Sequence, residues 1–242
     1  MIRRTCGCQS SKAGGPAATQ PLADPFIIAR VTAPKGSASQ GTTAAYNQGL
    51  TEAYMYVPTS YKAATPAPFA LMLHAEGTTS TTALGLFQPY ADAMGLVILA
   101  VDSSGLTWDV LTTDSYGPDV VFINNALVAA FNEVNVDPAR VSVGGFSDGA
   151  AYALALGLTN GGLFSRVVAF TPSSLPGYSP VGSPKFFISQ GVNDPFVLPV
   201  DGGRYISSKL TSRGYAVNYV EFNGVHEVPV AVVQQAVTWM GS

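Results

Sequence analysis

Charge is scarce in this chain: Asp, Glu, Lys and Arg make up only 11% of its 242 residues, and the formal net charge is -3. With no basic surface to neutralise a phosphate backbone, nucleic acid is not an expected partner. Long hydrophobic runs are missing as well. No stretch approaches the roughly 18 to 20 consecutive apolar residues that a bilayer-spanning helix needs, so no membrane partner is expected either. Cysteine is nearly absent, and the two present, Cys6 and Cys8, stand one residue apart in a segment of small and polar residues. Such spacing supplies neither a disulfide framework nor, alone, a zinc site, so neither metal nor cofactor is expected. Arg3 and Arg4 are not followed by an apolar export core, because Cys6 to Gln20 is polar and small. The expectation is a cytoplasmic protein, with a secreted one whose leader is missing from this sequence as the alternative.

What remains is a length suited to one α/β domain. Residues 1–45 carry Pro16, Pro21, Pro25 and Pro34 and lack periodicity, which predicts a tail and an irregular lead-in, with Phe26–Val31 as an edge strand. Residues 46–242 then alternate between strands and helices. Continuous apolar runs at 69–73, 96–101 and 167–170 predict buried strands, 186–189 reads as a further strand, and Leu84, Phe87, Ala91 and Met94 recur at helical spacing before Gly95. Pro118 opens a further helix, Asp137-Pro138 closes the connection after it, and helices are expected near 203–213 and 229–240. Alternation of this kind implies βαβ crossovers, hence a three-layer α/β/α sandwich on a mostly parallel central sheet. Only a short Pro- and Gly-rich loop lies between Thr171 and Pro184, so no lid domain is expected. Loops at the carboxyl ends of the strands should converge on a site.

Gly145-Phe146-Ser147-Asp148-Gly149 sits between a β-branched run and a helical run of small apolar residues, the context of a nucleophile elbow. The serine hydroxyl needs a base, and the chain has only two histidines. His226 lies just past the last strand, whereas His74 precedes the serine and reads as a structural member of its turn. Asp194, after the strand at 186–189, completes the order Ser, Asp, His, with Asp201 as the reserve carboxylate. A tetrahedral oxyanion would need donors already in place: the N–H of Asp148 at the helix start, and one from the turn after residues 69–73, Ala75 first and Glu76 next. Trp108, on the loop after the strand ending at Val101, and Phe146 of the elbow are expected to contact substrate.

Leu73-His74-Ala75-Glu76-Gly77, the elbow, Asn193-Asp194 and Gly224-Val225-His226 together resemble the α/β-hydrolase superfamily, and within it the lidless serine esterases. The approach Val136-Asp137-Pro138-Ala139-Arg140-Val141 is similar to the polyhydroxybutyrate depolymerase-like, feruloyl esterase-like and phospholipase/carboxylesterase-like group. The resemblance implies a carboxylic ester hydrolase acting through an acyl-serine on short-chain, aromatic or polymeric esters, with a small-molecule or polymer ester as its partner. A non-catalytic ligand-binding member of the fold and a peptidase or amidase are the alternatives. Two departures stand out: Ala75 where such families place glycine, and Gln190 where many have histidine.

Overall fold

A computed structural model describes residues 24–36 and 38–241. Cys6, Cys8, the arginine pair and the tail expected before residue 24 lie outside the described residues. One eight-stranded sheet runs through the molecule in the order β1-β2-β4-β3-β5-β6-β7-β8. The strands are β1 (Gly41–Gln48), β2 (Thr51–Val57), β3 (Ala67–Leu73), β4 (Val97–Val101), β5 (Val136–Phe146), β6 (Arg166–Phe170), β7 (Lys185–Gly191) and β8 (Val217–Phe222). β1 pairs antiparallel with β2, and β2 antiparallel with β4; every other pairing is parallel. The sandwich expected from the alternation is present.

Both faces are covered, which is why the inner strands are apolar throughout rather than alternating. Phe69, Leu71 and Leu73 of β3 and Val97, Leu99 and Val101 of β4 pack on one side with α3 (Pro118–Glu133), α4 (Asp148–Thr159) and α5 (Gly203–Ser212). Ala70 and Met72, with Ile98 and Ala100, pack on the other with α1 (Ser80–Met94) and α6 (Val230–Gly241). The period-two side-chain alternation of a strand thus feeds two separate cores. Gly95 ends α1 in the left-handed conformation at φ 62°, its N–H on the carbonyls of Ala91 and Asp92.

Three expectations need correction. Phe26–Val31 is no strand: the N–H of Ile27 is taken by Oδ1 of Asn160, the residue that caps α4, and those of Ile28 and Ala29 by Oδ1 of Asn124 in α3, so side chains hold these N–H groups and keep them from a ladder. Regular structure begins at Gly41 rather than 46, because β1 forms a hairpin with β2 and supplies the sheet's edge. Asp137-Pro138 does not end a connection but lies inside β5, where Val136 already pairs with Ala67 and the register shifts before Phe69 pairs with Val141. The short helix α2 (Asp109–Thr113) was not anticipated. Residues 171–184 contain neither helix nor strand. Among the described residues no helix is long and apolar enough to cross a membrane.

Candidate active site

The turn from β5 into α4 puts Ser147 at φ 55° and ψ -118°, outside the regions that L residues ordinarily occupy. Neighbouring strands impose this conformation. The Ser147 N–H donates to the Phe170 carbonyl at the end of β6, and the Ser147 carbonyl accepts the N–H of Ala151. Glycine is required on both sides by close approach: a Cβ at 145 would stand 2.6 Å from the Leu73 carbonyl oxygen, and one at 149 would stand 2.3 Å from that oxygen and 2.4 Å from that of His74. The end of β3 is thus pressed against the elbow. Thr171, at the end of β6 next door, also has a positive φ, 49°, an uncommon state for a β-branched residue.

Asp194 comes from the loop after β7 and His226 from the loop after β8. His226 Nε2 lies 2.9 Å from Ser147 Oγ, and His226 Nδ1 lies 2.7 Å from Asp194 Oδ2. An ionised carboxylate can only accept, so Nδ1 carries the proton and Nε2 offers its lone pair to the serine hydroxyl. The Asp194 side chain is wholly buried and the imidazole 16% exposed. Burial drives the Asp194 pKa upward, but N–H groups of Val197, His226 and Phe196 outweigh it and hold the carboxyl below its usual range. Phe196 N and Val197 N donate to Oδ1 at 2.8 and 2.9 Å, and Gln190 Nε2 to Oδ2 at 3.0 Å. The imidazole is flanked by Phe146 and Phe196, with ring centroids at 4.9 and 5.4 Å. Phe146 therefore buttresses the imidazole. Asp201 is exposed, with its N–H on the Leu198 carbonyl and Gly202 as the cap of α5, and it is Asp194 that pairs with His226.

On the opposite side, His74 is 2% exposed and both ring nitrogens are engaged. Nε2 is 2.9 Å from the N–H of Ser103, which can only donate, so the proton is on Nδ1 and points to the Ala75 carbonyl at 2.8 Å. That carbonyl also accepts the N–H and hydroxyl of Thr78. The His74 carbonyl accepts Trp108 Nε1 at 3.0 Å. In a trans peptide the N–H points opposite to the C=O. Ala75 N–H is accordingly directed away from Trp108, and Glu76 N–H away from Thr78. Asp148 starts α4, where helical N–H groups have no partner inside the helix, and its Oδ2 accepts the Thr107 hydroxyl at 2.7 Å.

Trp108 does not line a substrate wall. It is 0% exposed, its ring 5.0 Å from His74 and 4.9 Å from Tyr152, because the indole N–H is needed inside the fold by the His74 carbonyl. Three contributors were given no role by the sequence: Thr107, Ser103 and Gln190. Only the last had a local signal, standing four residues before Asp194 at the end of a buried strand. A cavity of about 450 Å³, lined in part by Ser104, Thr107, Asp109, Thr113 and Tyr116, opens beside the Thr107–Asp148 bond. Among the described residues no group of three or more His, Cys, Asp or Glu could hold a metal ion.

No family model matches the chain. It is 29% identical over 205 residues to acetylxylan esterase A of Talaromyces purpureogenus, covering 81% of this chain and 50% of that protein. The chain spans about half the length of the curated relatives it matches. Among solved structures, the acetyl xylan esterase from Aspergillus awamori superposes with a TM-score of 0.66 at 16% identity, over 83% of this chain and 99% of that one. A ferulic acid esterase from Anaeromyces mucronatus, solved with ferulic acid, has a TM-score of 0.60 at 14% identity over 84% and 90% of the two chains. The chain has the α/β-hydrolase fold.

Proposed function

We propose that this protein is a serine esterase that cleaves carboxylic esters through an acyl-Ser147 intermediate. The observation carrying this reading is the unbroken line Ser147 Oγ, His226 Nε2, His226 Nδ1, Asp194 Oδ2 at 2.9 and 2.7 Å on the elbow of this fold. Ser147 Oγ attacks the ester carbonyl carbon while His226 Nε2 takes its proton, and Asp194 stabilises the imidazolium. The tetrahedral oxygen is met by the N–H of Asp148, aided by the α4 dipole, and by a second N–H from the loop after β3. Glu76 is preferred to Ala75 as that second donor, because the Ala75 carbonyl is drawn back by His74 and Thr78. Collapse of the intermediate expels the alcohol, which takes the proton from His226. Water activated by the same imidazole then releases the acid.

The cavity that Thr107 lines, next to its bond with Asp148, bears on the substrate. It is lined by polar residues, Ser104, Thr112 and Ser115 among them, which suits a hydroxyl-rich alcohol part, and the relatives named for acetylxylan point the same way. Short acyl esters of polyhydroxylated or polymeric alcohols are the proposed class. The test is a panel of chromogenic esters from acetate to palmitate, with a feruloyl ester, an acetylated oligosaccharide and an anilide of the same acid. Hydrolysis of the short esters well ahead of palmitate and the anilide, lost in Ser147→Ala, is expected. Equal rates on ester and anilide would favour an amidase, and no turnover by folded protein would favour a binding protein.

A further inference from the structure

The loop that carries Asp194 buries few of its own side chains. Val192, Asn193, Phe196, Leu198 and Val200 all face solvent, Phe196 at 80% exposure, while Asp194 is buried. The fixed point is Gln190, in β7 and fully buried. Its Nε2 donates to Asp194 Oδ2 and to the Val197 carbonyl, each at 3.0 Å, and its Oε1 accepts the Gly203 N–H at 3.0 Å. The orientation of this amide follows from its neighbours. A backbone N–H can only donate and a carbonyl can only accept, so the oxygen faces α5 and the NH₂ group faces the acid loop. Behind it the backbone is in close contact: a Cβ at 203 would stand 3.0 Å from Gln190 Cβ and 3.1 Å from Oε1.

We propose that Gln190 is a positioning residue for the triad: a neutral, buried clamp that holds Asp194 Oδ2 in line with His226 Nδ1. With two donors on each oxygen, the Asp194 carboxylate has its roughly four lone-pair directions filled and cannot rotate without losing a bond. Neutrality matters as much as reach. A cation at this position would compete with the imidazolium for the carboxylate charge, and an ionised Glu would set acceptors against Asp194 and the Val197 carbonyl. Gln190 also ties the acid loop to the start of α5, so its effect reaches Ser147 through Asp194 and His226 and not by contact with substrate.

The kinetic arm of the test rests on the esterase reading; the spectroscopic arm does not. Gln190→Met keeps length and burial but removes donor and acceptor. On a soluble acetate ester, kcat per folded enzyme should fall about 10- to 100-fold with KM within about twofold, as expected when a reacting group is displaced by a fraction of an ångström to an ångström. The downfield proton resonance of His226 Nδ1–H should broaden through faster exchange with solvent. Gly203→Ala, which presses on the amide from behind, should give a smaller loss in the same direction and serves if Gln190→Met does not fold. Unchanged kcat in the folded variants, with an unaltered Nδ1–H resonance, would overturn the proposal and leave Gln190 a packing residue. If the wild-type protein turns over no ester, the esterase reading falls, while the resonance still decides whether Gln190 orders the Asp194–His226 pair.

Discussion

His226 Nε2 stands 2.9 Å from Ser147 Oγ although 79 residues separate them in sequence. The parallel sheet closes that distance. β5, β6, β7 and β8 are successive neighbours running in one direction, so the loops that follow them emerge at one edge. Two residues distant along the chain are thereby held at hydrogen-bond range by rigid elements.

Replacing His226 tests that relationship most simply. His226→Ala should lower kcat for a short ester by about 10⁴- to 10⁶-fold. Asp194→Asn should cost about 10⁴-fold, because an amide there cannot hold the Nδ1–H tautomer. Steady-state kinetics on folded variants are the check, and loss of less than tenfold in either would contradict the assigned roles.

His74 is expected to behave differently from His226. His74→Ala leaves the Ser103 N–H without its acceptor and a void beside Trp108, which should destabilise the fold by about 2–4 kcal/mol. Activity should fall as the Ala75 turn loosens, but the pH profile of kcat/KM should keep its shape, since both His74 ring nitrogens are held within the turn by the Ala75 carbonyl and the Ser103 N–H. Denaturation and pH–rate profiles together read this out.

Trp108→Phe should lower stability by about 1–3 kcal/mol, the consequence of a buried carbonyl at His74 losing its donor. KM for short esters should change by less than about twofold. A large KM effect without a stability effect would return Trp108 to the substrate wall.

Asp109 should make stability depend on pH. Burial, then the neighbouring Asp119, push its carboxyl above the usual range against the N–H groups of Asp119, Gly117 and Val110. Between the ordinary carboxylate value, about 3.9, and its raised folded value, the folded state binds more protons than the unfolded chain. The unfolding free energy must therefore fall as pH rises through that window. Urea titrations across pH 4–8 should show this contribution in the wild type and lose it in Asp109→Asn. Identical pH dependence in both would refute it.

Much of this arrangement was legible in the residues, for reasons that differ by element. Strands 69–73 and 97–101 are apolar at every position because two cores claim alternate side chains, and that pattern is visible locally. The elbow is visible because Gly145 and Gly149 must admit the Leu73 and His74 carbonyls within a few ångströms. Phe26–Val31 misled because Ile27 and Ala29 are buried at alternate positions, as in a strand, while its N–H groups go to Asn124 and Asn160, partners distant in sequence. Trp108 misled likewise: a loop position suggested the cleft, but a long-range bond to His74 holds it inside. Thr107 meets Asp148 only after folding, 41 residues away, and nothing in its own neighbourhood announces it; Gln190 stood out in its strand, but its bonds to Asp194, Val197 and Gly203 appear only in the folded chain.

The most direct measurement is intact-protein and peptide mass spectrometry after exposure to a fluorophosphonate. The account predicts one phosphonyl adduct, mapped to Ser147, formed rapidly by the wild type and absent from Ser147→Ala and strongly slowed in His226→Ala. Folded wild-type protein that takes up no label, or takes it at another residue, would contradict a nucleophilic Ser147.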